Sequence, residues 1–341
     1  MAETQPYKPS WLDALLDWVS SLKMPSALFY VLLYVASILA IHIALWVEGV
    51  LDFGAWDSYV FFDVIWAPLG LGYIHYMERV AQRSVEEIRP ALGVSASEFE
   101  AIRYRFTTLP FWPILIITVL GLVFGMYFAF QAGSTQSLSS ILWSGISGLG
   151  YTLLPIWLYA AYRHVSQIDD LYIKVKKLNL FNLQPLYGLA RVAMVVGVFF
   201  VLLVNINFIS ETWLGSVTQT PETIVFLSAV GITAALAVFV IPVLGIHRKI
   251  EKDKTQLLAE NADQIDNLRR EIQTDMEKRS FKNIDGLEKG LSALLKVRES
   301  ISAIPTWPWS PGTFGKFASA IVLPLIVWLL QRVMTPLFAV P

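Results

Sequence analysis

From Ser26 to Trp46 the chain carries no formally charged side chain, and comparably apolar stretches return along its length. They lie at Tyr59–Met77, Leu109–Phe130, Ile141–Tyr162, Leu186–Phe208, Thr223–Ile246 and Phe314–Val333. Each is close to the ~20 residues needed to cross a bilayer core as a helix. None shows the apolar–polar alternation of a transmembrane β-strand. The pattern predicts an all-α, polytopic membrane protein with about seven transmembrane helices.

The segments between these runs have patterns of their own. Trp11, Leu12, Leu15, Leu16, Trp18, Val19 and Leu22 recur at helical spacing within a stretch too polar to span, which predicts an amphipathic helix in the membrane interface. After the fourth run, Val165, Ile168, Leu171, Val175 and Leu178 continue the helix with one apolar face. After the sixth, Leu258, Ala262, Ile265, Leu268, Ile272 and Met276 do the same. The pattern then restarts, with Asp285 and Glu288 spaced as a capping box ahead of a helix carrying Leu287, Leu291, Leu294, Val297 and Ile301. Ser97 and Glu100 offer a similar cap before the third span. Apolar stripes of this kind must be buried against something, so these extensions predict a helical layer on one side of the membrane.

Charge gives the side. Arg79, Arg83, Arg89, Arg103 and Arg105 follow the second run, Arg163, Lys174, Lys176 and Lys177 follow the fourth, and Lys and Arg recur from Arg248 to Lys316. The stretches 48–58, 131–140 and 209–222 contain neither residue. The positive-inside rule then places the N-terminus and the helical layer in the cytoplasm and the C-terminus outside, with Arg332 alone against the trend. The expected division is a cytoplasmic segment 1–25 with its interfacial helix and a six-helix membrane region 26–246. A cytoplasmic hairpin and elbow, 247–312, and a seventh span with an outer C-terminus, 313–341, follow. A cleaved signal peptide is not expected, since the first residues lack a basic start and a short apolar stretch.

Composition agrees with that picture. Of 341 residues 55% are hydrophobic and 16% charged, with a mean hydropathy of +0.55, where soluble domains carry about 25% charged residues. The net charge of −1 offers no footprint for nucleic acid. The chain has no cysteine, which excludes disulfides, thiol catalysis and thiolate-held clusters.

Candidate chemistry is sparse. Ile304–Phe317 reads "IPTWPWSPGTFGKF". Here Pro305 ends the preceding helix, Trp307 and Trp309 suit the headgroup layer, Pro311 and Gly312 turn the chain, and Thr313 can cap the last span. The stretch is a candidate gating elbow between the hairpin and the seventh span. Ionisable groups at membrane depth mark bundle interiors or water-filled paths. Asp63, ahead of a kink expected at Pro68, and His42 lie at similar depth. They could pair as an interhelical hydrogen bond, or line an outer pocket or conduction path with Asn205. Asn207 is near Asn205, and Arg191 is expected to snorkel. His75, His164 and His247 all fall at inner ends of spans, but no two of them have ligand spacing within one helix, and no metal site is expected. Small-residue spacings at Gly121/Gly125, Ser140/Ser144/Gly148 and Gly231/Ala235 predict close helix packing. No catalytic residue is identified: Asp169 and Asp170 lack a second acidic cluster, and no nucleophile elbow, zinc-protease helix or phosphate loop is present. Neither enzymatic activity nor a cofactor is expected.

Several of these features together resemble the seven-transmembrane ion-channel superfamily of insect odorant and gustatory receptors. The last span of that family often carries Thr-Tyr, five hydrophobic residues and Gln-Phe. The comparable stretch here is Pro324-Leu325, Ile326 to Leu330 and Gln331-Arg332, in which the spacing of Gln331 matches and Pro324 and Arg332 depart. The resemblance implies a homo-oligomeric channel or chemoreceptor-like protein, a tetramer, held together by its cytoplasmic helices. The last span would line the pore, with Gln331 and Ser319 as its polar contacts. The alternative is a non-conducting scaffold or signalling subunit that binds a partner protein through the same helices. The lipid bilayer is the one partner required by either reading.

Overall fold

The computed structural model describes residues 6–131, 137–176, 178–214, 221–278, 284–310, 312–322 and 326, with the side chains of 128–131, 204–225 and 227–228 left aside. Its described residues are helical apart from connections and one isolated bridge between Pro9 and Pro110. In chain order the helices are α1 (Trp11–Ser21), α2 (Ser26–Val47), α3 (Ser58–Asp63), α4 (Trp66–Leu92), α5 (Ala96–Thr107) and α6 (Phe111–Gln131). They continue with α7 (Leu138–Ile173), α8 (Gln184–Leu214), α9 (Pro221–Val240), α10 (Leu244–Glu277) and α11 (Ile284–Ser302). Residues 312–322 are helical as well. Five helical segments are long and apolar enough to cross a membrane: Ser26–Val47, Ser58–Leu92, Leu138–Ile173, Gln184–Leu203 and Ala229–Glu277, with a shorter apolar helix at Phe111–Tyr127. They fit an integral, multi-pass membrane protein.

Local chemistry moves several boundaries. The second apolar run breaks at Val64 and Ile65, before Pro68 rather than at it. Proline at the third position of α4 lacks an N–H and crowds the carbonyl four residues back, so the ladder is interrupted upstream. Val64 N–H still bonds Val60 O (3.1 Å), and the ladder resumes across Pro68 where Leu69 N–H bonds Ile65 O (3.0 Å). A 3-10 turn at Ile241–Val243, holding Pro242, separates α9 from α10 where an unbroken extension was expected. The cap of α5 is Ser95, whose hydroxyl accepts from Glu98 N–H (3.2 Å), two residues before the expected Ser97. Asp285 lies within the first turn of α11 and not ahead of it. The fourth run does continue as one helix, but it ends at Ile173, so Val175 and Leu178 follow it in the connection.

The core forms around Trp157 of α7. Its ring lies 4.0 Å from Phe199 and 5.0 Å from Phe200 of α8, and Phe199 lies 4.2 Å from Tyr73 of α4. The Tyr73 hydroxyl donates to Val195 O, which fixes α4 against α8. The small residues of α6 and α7 face one another. A Cβ on Gly121 would meet Thr152 Cα at 2.9 Å, and one on Gly125 would meet Gly148 Cα at 3.0 Å. These glycines let two apolar helices approach backbone to backbone, the packing that small-residue spacing provides in membranes. Ala235 of α9 is fully buried, and its carbonyl sits 3.1 Å from where a Cβ on Gly197 of α8 would be.

The N-terminal segment clasps the rest of the protein. Leu12, Leu16 and Val19 are buried in the protein, while Trp18 stays half exposed. Ser10 and Asp13 form a reciprocal capping box. The free carboxylate oxygen of Asp13 accepts from Leu109 N–H (3.2 Å) at the start of the third apolar run. Burial raises the Asp13 carboxyl above its ordinary range, against the opposing bonds from Ser10 and Leu109. Tyr7 donates to Thr108 O (2.8 Å) and accepts from Arg163 of α7 (2.8 Å), while Tyr104 donates to Tyr7 O (2.7 Å).

Candidate functional site

The elbow is built of stacked rings. His247, one turn into α10, lies 3.9 Å from Trp307 with the planes 8° apart. Trp307 stacks on Trp309 (4.5 Å, 13°), Trp309 on Phe239 of α9 (4.6 Å, 13°), and Phe239 on Phe317 (4.1 Å, 21°). Five rings thus form one column from α10 to the helix at 312–322. His247 Nδ1–H donates to Thr306 O (3.0 Å), which locks the first ring to the strand of chain that carries the tryptophans. Ring pairs of this kind add about 0.5–1.5 kcal/mol each beyond the area they bury. The elbow tryptophans therefore pack inside the protein instead of only anchoring in headgroups.

What closes the column is a glycine. A Cβ on Gly197 would stand 2.8 Å from Phe317 Cε2, so α8 leaves the Phe317 ring its place by having no side chain there. Pro305 lies three residues beyond the last residue of α11, and Ser310 rather than Thr313 precedes the last helix. Thr313 N–H donates to Ser310 O (2.9 Å), and the two hydroxyls are 2.6 Å apart.

The hairpin feeding this column is tight inside and open outside. A Cβ on Gly290 of α11 would meet Leu268 of α10 at 3.3 Å, and Asn261 Nδ2 donates to Leu294 O (3.2 Å). Lys254 Nζ donates to both Ser302 O and Ile304 O (2.7 Å each), holding the end of α11 to α10. Met276, Leu295 and Val297 remain 57%, 50% and 46% exposed.

The polar residues of the apolar runs do not come together as expected. His42 Nδ1–H donates to Ile38 O (2.9 Å), and its Nε2 accepts from Asp57 N–H (3.0 Å) among the rings of Trp46, Trp56 and Phe61. This bonding uses both nitrogens of a neutral imidazole and ties α2 to the chain entering α3. Asp63 instead accepts from Trp143 Nε1–H (2.6 Å) and from the Ser147 hydroxyl, both on α7. The expected pairing of His42 with Asp63 is replaced by two separate links. Asn205 lies in α8, its side chain outside the described residues, as is all of Gln331; Ser319 is exposed on the last helix.

Arg191 does not snorkel alone; it pairs with Glu87 of α4 (3.2 Å). His75 and His164 occupy settings distinct from that of His247: His75 bonds the hydroxyls of Ser20 (2.9 Å) and Tyr30 (2.8 Å), and His164 Nδ1–H donates to Ala160 O (2.8 Å). Glu48 was also unforeseen. It accepts from Ser139 N–H (3.2 Å) and the Ser139 hydroxyl, joining the end of α2 to the start of α7, and these bonds hold its carboxyl below the ordinary range.

Trp143 and Ser147 are four residues apart in an apolar run, a spacing that could have marked the face of α7 turned to Asp63. No such signal links His247, Phe239 and Phe317 to the tryptophans. Compared with models of known protein families, with curated proteins and with solved structures, the chain matches none.

Proposed function

We propose that the chain is one subunit of a homo-oligomeric channel or chemoreceptor-like membrane protein, with seven spans and the charged helices α10 and α11 in the cytoplasm. The observation that carries this reading is the ring column from His247 to Phe317. It is a stiff connection between the hairpin and the last helix, so displacement of one would be delivered to the other. Exposed Met276, Leu295 and Val297 support burial of the hairpin against neighbouring copies, and four subunits are favoured by the resemblance of the whole topology. On this reading the last span lines the path, with Ser319 and Gln331 facing it, and the N-terminus is inside.

Native mass determination in lipid nanodiscs tests the assembly, and currents across planar bilayers test conduction. Four subunits, dissociated by Leu295→Glu, with a conductance altered by Gln331→Ala in an intact assembly, are the expected results. A monomer that passes no ions would overturn the reading. The same exposed residues favour a second one, a non-conducting scaffold whose hairpin binds a partner protein. There, charge reversal on α10 and α11 would abolish capture of that partner and leave self-assembly unchanged.

A further inference from the structure

A cleft of about 470 Å3 opens between α5 and α7, closed at one end by Tyr7. Its charged side chains are sorted along its length. On α5, Glu98 and Arg105 are seven residues apart, and on α7 so are Asp170 and Arg163; each separation is about 10 Å of helix. Arg163 Nη2–H donates to Arg105 O (2.6 Å), which pins the two arginine-bearing ends together. The helices run in opposite senses at this point, so Glu98 and Asp170 share the other end of the cleft, with Lys174 just past the end of α7. Among the described residues, none of these five charged side chains forms an ion pair. Oppositely charged groups that line one cleft without neutralising each other leave both charges to a ligand.

The depth of the arginines is fixed by the sequence around them. Arg163 is the first charged residue after the apolar run of α7, and Arg105 lies one turn before the apolar run that begins at Leu109. The cationic end is therefore at the level where phospholipid phosphates lie, and the acidic end points away from the bilayer. We propose that this cleft binds a phosphodiester bearing a primary ammonium group, the chemistry of a phosphatidylethanolamine headgroup. The phosphate sits between Arg105 and Arg163, and the ammonium donates hydrogen bonds to Glu98 and Asp170. Charge-assisted bonds of this type are short and directional. A trimethylated ammonium has no N–H to give, so the carboxylates favour the primary amine over the choline headgroup by leaving the latter's partners unmatched.

The test uses the full chain, delipidated in detergent, with native mass spectrometry of retained phosphatidylethanolamine, phosphatidylcholine and phosphatidylglycerol. Phosphatidylethanolamine should be retained at least fivefold over phosphatidylcholine. Arg105→Gln should lower its retention at least fivefold, and Glu98→Gln with Asp170→Asn should remove the preference for it over phosphatidylcholine. All three side chains are exposed, and an unchanged thermal melt shows that each variant folds. Soluble glycerophosphoethanolamine separates the sources. If it displaces the lipid, the site serves a free ligand, and if only lipid competes, it serves the bilayer; either result upholds recognition of phosphate with ammonium. Equal retention of the ethanolamine and choline lipids by the wild-type chain, or retention indifferent to all three substitutions, overturns it.

Discussion

His247 and Trp307 lie face to face, 3.9 Å apart and nearly parallel, although 60 positions separate them in the chain. One belongs to a charged helix and the other to a proline-rich connection. Their contact makes the connection an extension of α10 and gives the column its first pair.

Removing the middle of the column should be costly. Trp309→Ala deletes stacking on Trp307 and on Phe239 together. A loss of about 3–5 kcal/mol is expected for such a truncation, read as a fall in melting temperature, while Trp309→Phe keeps most of the contact and should lose far less. A melt unchanged by the alanine would show that the column carries no load.

A second prediction concerns Gly197. Gly197→Ala puts a methyl 2.8 Å from Phe317 and 3.1 Å from Ala235 O, so overpacking of about 1–3 kcal/mol is expected. Phe317→Leu should recover part of that loss in a double-mutant cycle, since the shorter side chain vacates the site. Strictly additive losses would mean that the two residues do not meet.

The α6–α7 seam gives a contrast within one kind of residue. Gly121→Ala and Gly125→Ala force backbone against backbone and should each destabilise by about 1–3 kcal/mol. Gly145→Ala has nothing within 4 Å of the new methyl and should be neutral or stabilise by about 0.5–1 kcal/mol. Thermal melts of the three variants in one detergent decide the matter.

The clasp should loosen as pH rises. Burial lifts the Asp13 carboxyl above the value it has in the unfolded chain, so across that window the docked state holds the proton more often. Stability contributed here is full below the unfolded value and declines through the window above it, the reverse of a salt-bridged aspartate. Tryptic cleavage at exposed Lys23, just past α1, should accelerate over that range. Asp13→Asn should flatten the dependence and cost about 0.5–2 kcal/mol through the lost capping box.

The five helical segments long and apolar enough to cross a membrane were legible because each is a local property, a run of apolar residues of sufficient length. Gly121, Gly125 and Gly148 were legible as close-packing residues as well, though not the choice of Thr152 and Gly148 as the partners of the first two. What periodicity could not supply was any contact between distant segments. Asp63 and His42 lie in successive apolar runs, but α7 offers Asp63 an indole N–H and a hydroxyl, while the backbone at Asp57 bonds His42. The tryptophans of the elbow were visible, but their role depends on Phe239 and Phe317, which read in sequence as ordinary apolar residues. Arg191 looked like a lone cation because its partner, Glu87, lies 104 residues away on α4.

The clasp at Tyr7 bears on how the chain is made. Its hydroxyl accepts from Arg163, 156 residues later. At about 5–20 residues per second, a ribosome needs roughly ten to thirty seconds to synthesise the stretch between them. Tyr7 can therefore meet Tyr104 and Thr108 well before Arg163 is made, and its hydroxyl gains this last partner only after the apolar run of α7 has been synthesised. The Arg163 contact is thus the latest of the clasp's bonds to become available, and the clasp is complete only once the helix that carries it, α7, has been made.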